Sequence, residues 1–215
     1  HLTCAGHSRA ELQAILSELQ ATGIPAVMAL RGDPPRGSHD FVQYPDGFRY
    51  ASELIDFIRR QYNFKIGCAC YPEGHPESAN VQQDIEYLKL KQECGADFAV
   101  TQLFFDNDTF FRFRDAARRG GVTIPIIAGL MPVTAVSQLT RFQSLCGCVI
   151  PFKLTDFLQG DANEDVVERG IAYGLKQAEE LLEGGVEGIH LYTLNQSRSS
   201  TAIIAGLRAN GRLTP

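Results

Sequence analysis

The sequence has no tryptophan, only two methionines, and no apolar run near the roughly 18 residues that a membrane-spanning helix needs. It also lacks an excess of basic residues, since 20 Lys and Arg stand against 25 Asp and Glu. Proteins that bind nucleic acids usually show a basic surface. No basic segment followed by an apolar one opens the chain, as a signal peptide would. These absences predict a protein with no membrane span and no nucleic-acid partner.

The six cysteines form no Cys-x-x-Cys pair and do not cluster with histidine. A disulfide framework is unusual in a chain long enough to bury a large core. We therefore predict free thiols in a reducing, cytoplasmic compartment and no metal site. The cysteines are Cys4, Cys68, Cys70, Cys94, Cys146 and Cys148.

The common nucleotide and hydrolase motifs are missing as well. The chain contains no G-x-G-x-x-G, no G-x-x-x-x-G-K-[ST], no H-E-x-x-H and no G-x-S-x-G. A nucleotide cofactor would have to be held by loops at strand ends and by helix N-termini. We expect Pro76–Asn80 to begin a helix whose free amides could hold phosphate.

What the sequence does contain is a regular alternation of short apolar runs and amphipathic segments. The apolar runs are nearly continuous, which is typical of buried parallel strands. Ser8 and Glu11 form a capping box before the first helix. Predicted strands are 1–4, 24–30, 65–71, 98–105, 124–130 and 188–194, and predicted helices are 8–22, 48–62, 77–95, 106–120, 135–145, 163–184 and 198–209.

Six consecutive βα units indicate an α/β fold, either a doubly wound sheet or a (β/α)8 TIM barrel. The chain opens inside a strand, which favours a barrel whose first two βα units are lacking here. No linker composition divides the sequence. We predict a single catalytic βα-barrel domain over residues 1–215, incomplete at its N-terminus.

Polar residues gather where the predicted strands end, and in α/β barrels the active site lies at that face. Each residue alone has a simpler explanation: Asp33 could cap a turn, His75 could be a loop histidine, and Gln102 could be structural. Lys91 and Lys153 do not follow an obvious strand, which disfavours a Schiff-base aldolase. The strand-end residues are His1, Thr3, 31–33, 71–75, Gln102, 131–132 and 192–195.

With these residues in view, the chain resembles the 5,10-methylenetetrahydrofolate reductase family in its bacterial flavoprotein form. The matching runs follow one another over essentially the whole chain. They are HLTC at 1–4, ALRGDPP at 29–35, GFRYASEL at 47–54, CYPEGHPES at 70–78, GADFAVTQLFFD at 95–106, IPIIAGLMPV at 124–133 and HLYTLN at 190–195.

The resemblance implies a barrel that binds FAD without a Rossmann motif. NAD(P)H would reduce the flavin and leave, and methylenetetrahydrofolate would then be reduced to 5-methyltetrahydrofolate, so that the kinetics are ping-pong. It also implies a homo-oligomer serving one-carbon and methionine metabolism. The choice between NADH and NADPH stays open.

The resemblance further implies roles for individual residues. Asp33 and Gln102 would be catalytic and would also contact the folate. The wall of the substrate site would consist of Gln138 and Phe142, although Phe142 taken alone reads as a core residue. The FAD-binding residues would be His1, Arg31, Gly32, Asp33, Tyr50, Ala51, Tyr71, His75, Asp84 and Lys91.

The chain departs from the family pattern at some positions. The general-acid glutamate of the family is expected upstream of His1, and Glu73 is the local stand-in. Gln196 occupies the position after YTLN where the family usually has an arginine that contacts the folate. Either Arg198 makes that contact instead, or the folate is bound more weakly. Ala128 stands where proline often precedes Gly129.

These departures leave two alternatives open. One is a related flavin barrel that acts on another folate or in the oxidative direction. The other is a non-catalytic flavin-binding fragment.

Overall fold

A computed structural model describes residues 1–33, 41–159 and 165–213, except the side chains of Leu145 and Asp165. Six strands alternate with helices along these ranges. The strands are β1 Leu2–Thr3, β2 Ala26–Leu30, β3 Lys65–Cys70, β4 Phe98–Thr101, β5 Ile126–Leu130 and β6 Ile189–Leu191. The helices are α1 Arg9–Ala21, α2 Ala51–Gln61, α3 Val81–Glu93, α4 Asn107–Arg119, α5 Val136–Cys146, α6 Phe152–Leu158, α7 Asp165–Glu183 and α8 Arg198–Ala209.

The strands follow one another in the sheet in the order of the sequence, from β1 to β6. β1 pairs with β2, β2 with β3, and β5 with β6, all in parallel. A doubly wound sheet reverses its strand order at a switch point, whereas a βα barrel does not. The α/β prediction is confirmed, and the strand order is that of a barrel.

The contacts within the chain divide it into two compact units. Unit 1 comprises His1–Cys70, Ile85–Ala99 and Gly120–Pro125, and unit 2 comprises Tyr71–Asp84, Val100–Arg119 and Ile126–Pro215. The single domain over residues 1–215 stays a prediction.

Each unit buries apolar side chains of its own. In unit 1 the fully buried residues include Leu12 and Leu16 of α1, Leu54 and Ile58 of α2, and Ile66 of β3. In unit 2 a cluster joins the end of β4 to α5 and α6. Its buried members are Leu103, Phe105, Val133, Leu139, Phe142, Cys148, Leu154 and Leu158.

Two helices differ most from the sequence prediction. α3 begins at Val81 rather than Glu77 because Asn80 caps it: the Asn80 Oδ1 accepts the Gln83 N–H at 3.0 Å. α6 was not predicted, although Leu154 and Leu158 have helical spacing and are buried. The predicted first residue of the next helix, Asn163, lies outside the described residues.

All six cysteines are free, as predicted, and four of them are buried. Burial raises the pKa of Cys4 to about 12, that of Cys68 to about 11 and that of Cys148 to about 12. In the described part of the chain, no helix is both long and apolar enough to cross a bilayer.

The predicted capping box at the start of α1 is present. The Ser8 Oγ accepts the Glu11 N–H at 3.2 Å, and the Glu11 Oε2 accepts the Ser8 N–H at 2.8 Å. Ser8→Ala removes an acceptor for an otherwise unpaired helix N–H and should lower the free energy of unfolding by about 1 kcal/mol in urea titrations.

Gln20→Ala, on the exposed face of the same helix, is the control and should change that free energy by less than about 0.5 kcal/mol. The bonds from Ser8 lower the pKa of Glu11, so the capping box is complete at neutral pH and weakens as the pH falls through that lowered pKa. Equal stability of the two variants would refute the role of the cap.

Candidate functional site

In unit 1 the chain segments that leave β1 and β2 run side by side. The Cys4 N–H donates to the Leu30 oxygen at 3.0 Å, and the Ala5 N–H donates to the Arg31 oxygen at 2.9 Å. Gly32 has a φ of +84°, and a Cβ there would lie 2.7 Å from the Cβ of Ala5. Only glycine fits, so the backbone holds residues 31–33 against the end of β1.

A positively charged and a negatively charged side chain both lie where β2 ends. The guanidinium of Arg31 lies 5.1 Å from the centre of the Phe41 ring, within the range of a cation–π contact. Asp33 is exposed, and so is His1. Pro34 and Pro35, which complete the quoted ALRGDPP run, lie outside the described residues.

The remaining predicted cofactor residues of unit 1 lie on helices. Tyr50 precedes α2, where the Glu53 carboxylate accepts its N–H at 3.3 Å, and Ala51 is the buried first residue of α2. Lys91 reaches from α3 to the end of β3, where its Nζ donates to the Ala69 oxygen at 2.9 Å. An ammonium group has three donors, so two remain for a ligand.

In unit 2 the loop after β3 is organised around Asp84. This carboxylate is 6% exposed, and it accepts the His75 N–H at 2.9 Å and the Ser78 hydroxyl at 2.7 Å. The Tyr71 and His75 rings meet edge to face, with centres 4.6 Å apart. Asp84 therefore positions the loop that presents two predicted flavin contacts.

The phosphate site expected at the amides of 76–80 is wrong. The Glu77 N–H donates to the His75 Nδ1 at 3.1 Å, the Ser78 N–H to the His75 oxygen at 2.9 Å, and the Ala79 N–H to the Gln83 side chain at 2.8 Å. These amides are used within the loop, because the segment is a turn rather than the first turn of α3.

Glu73 is the carboxyl whose environment favours the protonated form. Its Oε2 accepts the Val149 N–H at 2.8 Å. Burial raises the pKa of Glu73, and the nearby Asp106 carboxylate adds to the rise, although the bond from Val149 opposes it. Such a group can act as a general acid nearer neutral pH than an exposed glutamate.

A groove lies in unit 2 at the ends of β5 and β6. It brings together the predicted substrate residues Gln138, Phe142 and Gln196. None of its lining side chains is charged. The other lining residues are Met131, Pro132, Thr134, Tyr192, Thr193, Leu194, Ser199 and Ser200.

Two of the predicted substrate residues also serve the fold. The Gln138 Oε1 accepts the Thr134 N–H at 2.8 Å and the Ala135 N–H at 3.3 Å, which caps α5. Phe142 is 4% exposed and stacks on Phe105 at 6.4 Å between ring centres. Phe142 is therefore both a core residue, as its pattern alone suggested, and part of the groove wall.

Gln102 follows β4 in unit 2 and is not part of the groove lining. Its Oε1 accepts the Leu103 N–H at 2.9 Å, and its amide NH2 has no partner within the described ranges. The preceding Thr101 is linked to the groove, because the Tyr192 hydroxyl donates to the Thr101 oxygen at 2.9 Å. The amide of Gln102 is thus oriented with its donors available.

The residues after β6 hold features that the sequence did not reveal. Leu194 and Asn195 have φ values of 48° and 61°, a conformation rare for a bulky residue such as leucine. Ser199 and Ser200 line the groove, but the sequence showed them only as part of an amphipathic helix. The sequence feature that could have identified them is a pair of serines shortly after the turn that follows a strand.

Arg198 is not among the residues that line the groove. It forms an ion pair with Glu168 at 2.9 Å, and both side chains are exposed. Lys153 likewise pairs with Asp106 at 2.8 Å, which raises the lysine pKa and keeps its amine protonated. This agrees with the argument against a Schiff-base lysine.

A family model described as methylenetetrahydrofolate reductase matches residues 1–208. This chain belongs to the methylenetetrahydrofolate reductase family. The resemblance inferred from the motifs is therefore confirmed.

Relatives in this family come from plants and bacteria. "Methylenetetrahydrofolate reductase (NADH) 1" of Arabidopsis thaliana is 37% identical over 96% of this chain, and the match covers 37% of that protein. "5,10-methylenetetrahydrofolate reductase" of Pectobacterium carotovorum is 35% identical over 94% of this chain and 67% of that protein. The chain thus spans a little over a third of the length of the plant relative.

A solved structure shares the fold at lower identity. It is an uncharacterized protein from Clostridium thermocellum that binds two copies of 5-methyl-5,6,7,8-tetrahydrofolic acid. The TM-score is 0.54 at 17% identity, over 84% of this chain and 66% of that one. This likeness supports the fold of this methylenetetrahydrofolate reductase family member.

Proposed function

We propose that the protein is a flavin-dependent reductase that converts 5,10-methylenetetrahydrofolate to 5-methyltetrahydrofolate with electrons from NAD(P)H. Family membership supports the reaction class. The observation that carries the proposal is the groove at the ends of β5 and β6, where Gln138, Phe142 and Gln196 meet. One site used in turn by both substrates gives ping-pong kinetics. A cytoplasmic homo-oligomer in one-carbon metabolism belongs to the same proposal.

The residues of each unit suit parts of FAD by their chemistry. In unit 1 the Lys91 ammonium suits the pyrophosphate or ribose and the Arg31 guanidinium suits the flavin end, while Gly32 lets the backbone pack against the end of β1. Tyr71 and His75 of unit 2 supply two aromatic rings and a further hydrogen-bond donor for the cofactor. FAD, when bound, supplies the hydride chemistry, and the protein supplies orientation and electrostatics.

Asp33 has two tasks in this proposal. Its exposed carboxylate can accept hydrogen bonds from the amino and ring N–H groups of a pterin. A fixed negative charge beside a flavin also disfavours an added negative charge, which lowers the reduction potential and helps onward donation. The carboxylate thus orients the folate and favours the second half-reaction.

Proton delivery to the folate needs a general acid. Glu73 is the candidate among the described residues, because burial raises its pKa. Its hydrogen bond from Val149 orients the carboxyl group within the loop that also carries His75.

A related flavin enzyme that uses another folate is the second candidate. The groove contains Gln196 and no charged side chain, so its contact with a folate differs from one made by arginine. Turnover with other one-carbon folates, and in the oxidative direction, distinguishes this candidate from the first. A non-catalytic flavin-binding protein would bind FAD and show neither half-reaction.

The role of Gln102 gives a test of the site. Gln102→Ala removes the amide donors and should slow reduction of methylenetetrahydrofolate by about tenfold, since a hydrogen bond to a bound polar group is lost. Oxidation of NADH with menadione as acceptor should change less. Steady-state kinetics with each acceptor measure the two effects.

Gln102→Glu is the matched variant. It keeps the oxygen that accepts the Leu103 N–H but replaces the donors by a second acceptor. Folate reduction should fall in both variants. If neither variant alters the kinetics with the folate, Gln102 does not belong to the site.

A further inference from the structure

We propose that the N-terminus of α8 and the hydroxyls of Ser199 and Ser200 form an oxyanion subsite in the groove of unit 2. The subsite takes one anionic group of a bound substrate. This inference rests on the proposed function for the identity of the ligand, since that function supplies two anionic groups. One is a phosphate of the nicotinamide dinucleotide, and the other is a carboxylate of the glutamyl part of the folate.

The first turn of α8 has donors without partners. The Thr201 N–H is the first to bond, to the Ser197 oxygen at 2.8 Å, and Ser197 makes no side-chain cap. The N–H groups of Arg198, Ser199 and Ser200 find no acceptor among the described residues. Such a helix end carries a partial positive charge and attracts anions.

The two serines supply the second, independent observation. Ser199 is 7% exposed and Ser200 is 6% exposed, yet both line the groove. Neither hydroxyl has a hydrogen-bond partner within the described ranges. The two hydroxyls are not among the buried side-chain atoms that lack a partner, so they keep contact with solvent where they line the groove and can donate to a group bound there.

The uncharged lining of the groove suits an anion that binds with modest affinity. No acidic side chain lines the groove, so nothing there repels an oxyanion. No lysine or arginine lines it either, and Arg198 is paired with Glu168. The helix end and the serine hydroxyls are therefore the elements that recognise negative charge in this groove.

The test compares the holoenzyme with the double variant Ser199→Ala, Ser200→Ala. Ser144→Ala is the control, because Ser144 is exposed on α5 and does not line the groove. Steady-state kinetics give KM for NADH with menadione and KM for methylenetetrahydrofolate. Calorimetry gives Kd for 5-methyltetrahydrofolate and for its pteroate counterpart, which lacks the glutamyl group.

The double variant should raise KM for one substrate about tenfold, because hydrogen bonds to a charged group are lost, with kcat within about twofold. A rise for NADH alone assigns the subsite to a phosphate. A rise for the folate that disappears with the pteroate counterpart assigns it to a carboxylate. If both substrates bind the double variant and the control equally well, the subsite does not exist.

Sodium pyrophosphate tests the subsite without turnover. Calorimetric titration should show weaker binding to the double variant than to the wild type, even if the protein proved to lack reductase activity. Equal binding of pyrophosphate to the two proteins, together with unchanged KM values, overturns the subsite while leaving the proposed reductase function in place.

Discussion

Gly170→Ala should destabilise the protein by at least about 3 kcal/mol, although alanine favours a helix interior by about 1 kcal/mol. Gly170 lies inside α7, where a Cβ would collide with the backbone oxygen of Val133 and lie 2.8 Å from its carbonyl carbon. Val133 is 2% exposed and belongs to the core cluster of unit 2. Because a buried backbone segment cannot move aside cheaply, overpacking outweighs propensity.

The effect should reach the groove as well as the fold. Pro132 and Thr134, on either side of Val133, both line the groove. A shift of this segment to admit a methyl group would therefore change the groove wall. We expect Gly170→Ala to raise KM for the folate in addition to lowering Tm by roughly 6–12 °C, since about 1 kcal/mol corresponds to ~2–4 °C at this size.

Gly174→Ala, one turn further along α7, is the control. A Cβ there would meet the Ile203 Cδ1 at 2.8 Å, which is the flexible end of a side chain. That methyl can rotate away, so the change in the free energy of unfolding should stay below about 1 kcal/mol. Thermal and urea unfolding of both variants measure the contrast. Wild-type stability in Gly170→Ala would show that α7 does not approach Val133 this closely.

Asp33→Asn should slow reduction of methylenetetrahydrofolate by about 100-fold, while NADH oxidation with menadione slows far less. The amide retains one acceptor oxygen but loses the negative charge, so it holds the pterin less firmly and no longer disfavours the reduced, anionic flavin. FAD should remain bound, because asparagine is nearly the same size as aspartate. Separate assays of the two half-reactions measure the ratio.

Glu18→Gln is a matched loss of one carboxylate in unit 1, on the exposed face of α1. It should leave both half-reactions within about twofold of wild type. If Asp33→Asn slows the two half-reactions equally, Asp33 acts on the flavin or on stability and does not hold the folate.

The sequence predicted the order of the elements well, because buried parallel strands and amphipathic helices leave strong periodic patterns. It overestimated the length of the strand that begins at Phe98. Leu103, Phe104 and Phe105 are buried like strand residues, yet they follow the end of β4 at Thr101. An apolar run in the sequence indicates that its residues are buried, but it does not show where the strand stops pairing with its neighbour.

The site was predictable in part. The motifs identified Gln138, Phe142 and Gln196, and the groove brings them together. The motifs could not show that Asp84 and Gln138 use their polar atoms to order a loop and cap a helix. Ser199 and Ser200 were missed because a serine on a helix is ordinarily a neutral surface residue, and only burial distinguishes these two.

The most direct test of the flavin-dependent account is a pair of anaerobic half-reactions on the purified full-length protein. NAD(P)H should bleach the visible flavin absorbance, and methylenetetrahydrofolate added after removal of the pyridine nucleotide should restore it with formation of 5-methyltetrahydrofolate. A protein that is colourless and cannot be reconstituted with FAD, or a reduced flavin that the folate fails to reoxidise, would contradict the account.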